Sequence, residues 1–501
     1  MTLLLGIDLG TSSVKVGLFD AVDLTLKANA SVEYTVSQPH PRFVEQNPDE
    51  WVSATEAAVR KVMHGVDPNQ VKGIGLDGQM HGIVCVGRDH RPVHPAIIWA
   101  DSRSVDEIEA LAQFQKSHRP RGISGRPSTG FAASTLRWLS RHRPEILAKT
   151  YQILHPKDYV RLCFTGQLFT DLSDASASWL LNVENGEWLD HMAAFCGIRL
   201  NQLPPILKSI EVCGELRPKP AQMMGLLPNT PVVAGASDLA AQALGHGIID
   251  NGDILITVGT GGQVMTPVSK PSIDPEGRTY TFHHCIPDMW YLQAAILSAG
   301  MSLRWLRDML GLNDDPRAYA KLSAMAAEVP PGAEGLIFLP YLAGERTPHF
   351  DPDASGGFFG LRLHHRQAHL SRAVMEGVSF ALLDCLNLIH PTEIEQPIIL
   401  SGGISQSPIW CQIMADIIQR PIFALDSKTP RASLGSAILA GIGVQYIDSF
   451  ETAKSLINQN SFSQAPLALE PDIQNRYQDR YAQFKRLYPL LSEEMVEIRS
   501  T

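Results

Sequence analysis

The chain has no long hydrophobic run, no basic excess, no paired cysteines and no low-complexity stretch. Each absence removes a class of function. No segment is apolar for long enough to span a bilayer, so a membrane-embedded role is not expected. Acidic residues outnumber basic ones, 52 to 42, and the formal charge of -10 argues against nucleic acid or an anionic membrane as partner. The seven cysteines (Cys85, Cys163, Cys196, Cys213, Cys285, Cys385 and Cys411) are isolated, with no Cys-x-x-Cys pair. They read as buried thiols of a reducing cytoplasm rather than as a zinc site. The apolar stretch Met1 to Leu5 has no basic start and is interrupted at Asp8, so it reads as a strand and not a signal peptide.

What remains is a well-packed, two-domain composition: 501 residues, 44% hydrophobic and 19% charged, too long for one ordinary core. Leu3 to Leu9 and the alternating Val14, Val16 and Leu18 predict two strands joined by a turn of Gly10, Thr11, Ser12 and Ser13. Pro48 to Met63 has helical spacing, with Trp51, Ala54, Ala58 and Val62 on one face. Val71 to Leu76 is a strand, followed by the loop-like run Asp77-Gly78-Gln79-Met80-His81-Gly82. Later, Pro231 to Ala234 is a buried-strand pattern, Gly235 to Asp238 a turn, and Leu239 to Leu244 the start of a helix.

Val258-Gly259-Thr260-Gly261-Gly262, again between β runs, repeats the form of Leu9-Gly10-Thr11-Ser12-Ser13 half a chain earlier. This internal similarity points to a duplicated fold with two Gly-turns facing across a cleft, and to domains of 1–245 and 246–501. A third turn, Gly402-Gly403, lies between a strand at Ile398 to Ser401 and a helix at Ser407 to Ile418. The small residues of Arg431 to Ile442 predict a helix packed closely on another element.

Turns of this composition present several backbone N–H groups to one point and bind phosphate oxygens, and glycine permits the close approach. Asp8, at the end of the strand before Gly10-Thr11-Ser12, is placed to hold Mg²⁺ through water; the plain alternative is a β-hairpin with a surface Asp. Asp238 suits a general base taking the proton of an attacking hydroxyl in phosphoryl transfer, or else a helix N-cap. Gln79, Met80 and His81, between glycines, suit recognition of sugar hydroxyls, or are ordinary loop side chains. Gly402 and Gly403 suit a nucleotide lying against bare backbone, or form an ordinary strand-to-helix turn.

Several ordered segments are shared with one family. They are Gly6-Ile7-Asp8-Leu9-Gly10-Thr11-Ser12, Glu45-Gln46-Asn47-Pro48 with Trp51, Gly78-Gln79-Met80-His81-Gly82, and His155-Pro156-Lys157-Asp158-Tyr159. Asp171 to Ala177, Leu339-Pro340-Tyr341-Leu342 with Gly344-Glu345-Arg346-Thr347-Pro348, and Gly356 to Glu376 continue the series. On these the chain resembles, over nearly its whole length, the FGGY family of carbohydrate kinases, and among them the members acting on D-xylulose. The resemblance implies an α/β, duplicated ribonuclease H-like (actin-like ATPase) fold. It implies Mg²⁺-ATP held in the cleft by the second domain, and a sugar held mainly by the first. It also implies transfer of phosphate to a pentulose, with Asp238 as base, Met80 and His81 on the sugar, and Asp8 near metal and phosphate. Gly259, Thr260 and Gly261 then bind phosphates, and Gly402 and Gly403 lie beside the nucleotide.

The expected partners are sugar and ATP; no nucleic acid or membrane is expected, and a homodimer is compatible with the sequence. Two positions depart from the pattern: Leu239 stands where Asn commonly follows the base, and Thr135 where a Lys is expected. D-Ribulose or another ketose or polyol is the alternative substrate, and a catalytically silent sugar-sensing protein the alternative of another class.

Overall fold

The computed structural model describes residues 1–118, 122–389, 397–425, 429–461, 467 and 471–500. Its first sheet is built on β1 (Leu3–Leu9), an apolar run buried on both faces. β1 pairs antiparallel with β2 (Ser13–Asp20), and β2 with β3 (Leu26–Glu33). After helix α1 (Pro48–Val62), β4 (Val71–Gly78) runs parallel to β1. It extends two residues beyond the expected strand, because Asp77 and Gly78 pair with Asp8 and Leu9. Helix α2 (Pro156–Thr165) follows, then β5 (Val212–Glu215) and β6 (Pro231–Val233), which complete the order β5-β6-β4-β1-β2-β3. The two-residue β7 (Ala236–Ser237) also pairs with β4 and leads into α3 (Asp238–Gly245).

The second sheet repeats this plan. β8 (Ile254–Val258) turns through Gly259 to Gly261 into antiparallel β9 (Gly262–Val268). The edge strand β10 (Tyr280–His283) and β11 (Trp290–Ile296) continue the antiparallel part, with β11 between β10 and β9. After the long helix α4 (Gln367–Ile389), β12 (Ile398–Gly402) lies parallel to β8. Helix α5 (Pro408–Ile418) follows, and β13 (Ile422–Ala424) closes the order β10-β11-β9-β8-β12-β13. Thus β1, β2 and β4 have their counterparts in β8, β9 and β12, as the repeated Gly-turn anticipates.

Alternation along the strands decides how the layers stack. On β1, Leu3, Leu5, Ile7 and Leu9 share one core with Trp51, Ala58 and Val62 of α1 and Val160 of α2. The opposite faces carry Leu4, Gly6 and Asp8 on β1 and Gly73, Gly75 and Asp77 on β4. Helix α6 (Arg431–Gly443), from the second half of the chain, lies there against α3 and the first sheet. Its fit is tight: a Cβ on Gly6 would lie 1.8 Å from the Ser433 carbonyl oxygen, and one on Gly75 1.9 Å from that of Ser436. Between the helices, a Cβ on Gly435 would lie 1.9 Å from the Ala241 oxygen, and one on Gly245 1.9 Å from the Arg431 oxygen. The small-residue pattern of α6 therefore serves backbone-to-backbone approach.

This packing makes Gly435→Ala a sensitive test. The added methyl meets helix backbone that cannot step aside, and overpacking of this kind costs ~1–3 kcal/mol. The expected outcome is a lowered thermal midpoint, measured by calorimetry, with sugar and nucleotide absent.

Candidate active site

The two Gly-turns face one cavity of about 410 Å³, which Asp8, Gly10, Thr11, Met80, His81, Asp238, Gly259, Thr260 and Gly261 all line. Both turns are fastened in the same way. In the first, the Gly10, Thr11 and Ser12 carbonyls accept from the Tyr34 hydroxyl, the Gln46 amide (2.7 Å) and the Tyr34 N–H (3.1 Å). In the second, the Gly259, Thr260 and Gly261 carbonyls accept from the N–H groups of Gly300 (3.0 Å), Ala299 and Met301 (3.0 Å each), and Gly259 (2.9 Å). The central N–H groups, Thr11 and Ser12 in one turn and Thr260 and Gly261 in the other, have no backbone partner among the described residues. Carbonyls held away and amides left open are what an anion nest requires.

Gly402 and Gly403 are not part of the cavity lining. Gly402 is level with Val258, the last residue before the second turn. Its φ of 92°, and a Cβ position only 2.4 Å from the Val258 oxygen, leave no room for a side chain. Gln79 is buried outside the cavity: its amide donates to Gln46 Oε1 (2.9 Å), and Gln46 in turn holds the Thr11 carbonyl. Its side chain supports the first turn rather than pointing at a ligand. Ser12 is exposed on the outer side of the same turn.

Asp8 ends β1 with its carboxylate toward the cavity, and Lys15, opposite it in register, holds Nζ 3.7 Å from Oδ2. Asp77 lies beside it on β4, fully buried, and accepts from Ser436 Oγ at 2.6 Å. Burial pushes both carboxyls up; at Asp8 the Lys15 charge partly offsets it, and at Asp77 the Asp8 charge adds to it. Asp77, the more deeply buried, is pushed well above the ordinary carboxylate range. Asp77 and Lys15 were not singled out by the sequence; strand pairing puts them here.

Asp238 is the first residue of α3, and Ser237 occupies the N-cap position, so Asp238 is not the cap. Its Oδ1 accepts the N–H of Leu239 (2.8 Å). Burial, then the charges of Asp8 and Asp174, push its pKa up to about 8. The segment presenting it is held from both ends. Ser173 Oγ accepts the Ser237 N–H at 2.8 Å, and Arg161 donates to the Ala234 carbonyl. Behind them Lys157 Nζ sits among Asp158 (2.6 Å), Asp171 (2.6 Å) and Asp174 (3.0 Å), all buried. Burial works against the Lys157 ammonium, but the three aspartates outweigh it and hold its pKa above the ordinary value. These carboxylates are close enough to hold a metal ion, and the lysine already supplies the cation. The sequence segments His155 to Tyr159 and Asp171 to Ala177 meet in this network.

Also lining the cavity, His81, with φ 71°, stacks on Phe131 at 4.1 Å between centroids. Burial lowers its pKa to about 3, so the ring is neutral. Nδ1 lies 2.8 Å from the Ala177 carbonyl and therefore carries the proton, which leaves Nε2 an acceptor. Leu239 lines the cavity floor while packing in the core. Thr135 is buried in the helix Ala132–His142 and does not line the cavity. Trp99, Gln242, Gln263, Gln293 and Arg346 also line the cavity without having been expected.

The comparisons with known proteins bear on this arrangement. The N-terminal domain model of the FGGY family of carbohydrate kinases matches residues 3–245, and its C-terminal domain model residues 254–444. The chain belongs to the FGGY family. As an FGGY kinase it is a phosphotransferase using ATP, and its fold is the two-domain actin-like one. It is 38% identical to a xylulose kinase of Escherichia coli over 97% of this chain and 99% of that one. A xylulose kinase of Lactococcus lactis is 33% identical over 98% of each. A solved kinase of Brucella ovis, described as a xyloylose kinase, superposes with a TM-score of 0.90 at 31% identity, covering 98% and 99% of the two chains. Among the described residues no helix is long and apolar enough to cross a membrane.

The Asp238 shift has a consequence for stability. Folded protein holds this proton more tightly than the unfolded chain, so the residue's contribution falls as pH rises from about 4 to about 8. Asp238→Asn removes the cost of ionising there. The variant is expected to melt higher than the parent at the top of that range, with the gap closing toward its bottom, as followed by thermal denaturation across pH.

Proposed function

We propose that this FGGY kinase transfers the γ-phosphoryl group of ATP to D-xylulose, giving D-xylulose 5-phosphate and ADP. The observation that carries the reading is the position of Asp238, in one cavity with two carbonyl-fastened amide nests and the neutral His81. The xylulose kinases it resembles over nearly their full length support the choice of sugar.

In this reading residues 1–245 hold the sugar and 246–501 the nucleotide, whose phosphates meet the Gly259-Thr260-Gly261 turn and whose nucleoside lies by Gly402 and Gly403. Met80 and His81 hold the sugar, His81 accepting a hydroxyl proton at Nε2. Asp238 accepts the proton of the C5 hydroxyl as the O5–P bond forms and the bond from Pγ to the β,γ-bridging oxygen breaks. A base with pKa near the operating pH is the efficient one. The Gly10-Thr11-Ser12 turn receives oxygens of the moving phosphoryl group. Asp8 faces this point with the hard oxygen donor that Mg²⁺ prefers, and the clustered carboxyls of Asp8, Asp77 and Asp238 have Lys15 as a nearby counter-charge, so the residues fit the ion. Mg²⁺, when bound, would neutralise phosphate charge. Buried free thiols suit a reducing cytoplasm as the place of action.

Leu239 supports a second reading. It offers the sugar no hydrogen bond from the cavity floor, and such a site discriminates weakly between hydroxyl epimers, so D-ribulose is expected to be a competing substrate.

A coupled ADP-release assay over a sugar panel tests the proposal, with D-xylulose expected to give the highest kcat/KM. Asp238→Asn is expected to lower kcat at least ~10²-fold, the usual size of a general-base effect, with sugar still bound in calorimetry. Asp8→Ala is expected to depress kcat more than sugar affinity. Normal turnover in Asp238→Asn would remove the base assignment.

A further inference from the structure

The cavity is not built by the first half of the chain alone. Arg346, on the loop after strand Ile337–Leu339, reaches it from the second half. Its backbone is pinned on both sides. Glu345 Oε1, buried, accepts the N–H groups of Arg346 (2.7 Å) and Leu297 (2.9 Å). Glu345 and Asp351 exchange two backbone hydrogen bonds (2.8 and 3.0 Å), and the Thr347 N–H meets the Ala295 carbonyl at 3.1 Å. The guanidinium carried by this rigid loop is partly buried. It makes no hydrogen bond or ion pair with any of the described residues. An acidic group that acts on it, Glu345, is itself pushed up to about 8 by burial, and a partly buried cation that no hydrogen bond satisfies is costly unless a ligand does so.

The guanidinium shares the cavity with His81 and Phe131. His81 and Tyr280 both feel its charge. The ring of Tyr280 packs edge-on to Phe131 at 5.7 Å, and Phe131 stacks on His81. The charge beside Asp8 is instead Lys15. The cavity therefore holds two cationic groups with different neighbours: Lys15 beside Asp8, and Arg346 with His81 and Phe131. An open-chain pentulose whose C5 hydroxyl meets Asp238 can extend its C1–C2 hydroxyketone toward His81 and Arg346 in the same cavity. The ketone oxygen only accepts hydrogen bonds, and Arg346 only donates, through a planar fork that spans two neighbouring oxygens. His81 Nε2 supplies the complementary acceptor for a hydroxyl.

We infer that Arg346 is the residue by which the second domain reads the C2 ketone and adjacent hydroxyl of the sugar, making ketose recognition depend on both domains. The inference rests on the placement of Asp238 as base, so the test carries that control. The probes are D-xylulose and xylitol, which differ only in the carbonyl, offered with ATP to the parent and to Arg346→Gln and Arg346→Lys. Expected is a fall of about 10- to 100-fold in kcat/KM for D-xylulose, mostly through KM, as for loss of a charge-assisted pair. The fall for xylitol is expected to be smaller, so the ketose preference shrinks. Arg346→Lys keeps the charge without the fork and is expected to lose the preference as well. An unchanged D-xylulose-to-xylitol ratio in either variant, at unaltered thermal midpoint, overturns the inference. Asp238→Asn alongside separates the two questions. If it abolishes both activities while the ratio is unmoved by the Arg346 variants, only the role of Arg346 fails. If it leaves turnover intact, the base assignment fails and this inference with it.

Discussion

Contact between bare backbones, where α6 lies on β1, β4 and α3, is the constraint on which the other features rest. Four glycines permit it, and each faces a carbonyl oxygen at a distance no Cβ tolerates. The consequence is geometric. On β1 and β4 the residue two places beyond each glycine points to the same face, and those residues are Asp8 and Asp77. The helix covers the glycines and its first turn, with Ala432, reaches the cavity wall. Ser436 of the same helix bonds Asp77. Packing and the candidate site thus share two strands, with glycine where the helix must touch and, two residues on, Asp8 in the cavity lining and Asp77 buried beside it.

The electrostatics follow from that crowding. Asp8, Asp77 and Asp238 are brought together in a region poor in counter-charge, and each is pushed upward by burial first. Such an arrangement costs folding free energy and is stable only because the surroundings are over-determined. The over-determination is visible around Asp238, whose preceding residues are gripped by Arg161 and Ser173 and backed by Lys157 and its three aspartates. The same holds for the Gly-turns, whose carbonyls are all occupied, so that the open amides need no reorganisation to meet an anion.

Much was legible in the chain. Alternating and helical spacings located the strands, the repeated Gly-Thr turn announced the duplication, and Asp8, Met80, His81, Asp238 and the two turns do share one cavity. The fold and family needed no more than ordered local motifs, because motifs of glycine, threonine and aspartate report backbone conformations that are local. Gln79 shows the limit. Immediately before two candidate ligands, Met80 and His81, it looked like a third, but its side chain turns inward to Gln46, since which face a residue takes in an irregular loop is decided by what lies behind it.

Composition, periodicity and local motifs by themselves determined the elements, the internal repeat, the acidic charge and the candidate residues that share one cavity. Only tertiary structure decided which distant groups meet them. Lys15 reaches Asp8 through strand register, Asp77 sits beside it through parallel pairing, and Lys157 gathers aspartates from two segments. Arg346 enters the cavity from the other half of the chain. These pairings depend on the relative placement of two sheets and the helices between them. Side-chain spacing along one chain carries no record of that placement, because long-range proximity is set by packing and not by local conformational preference.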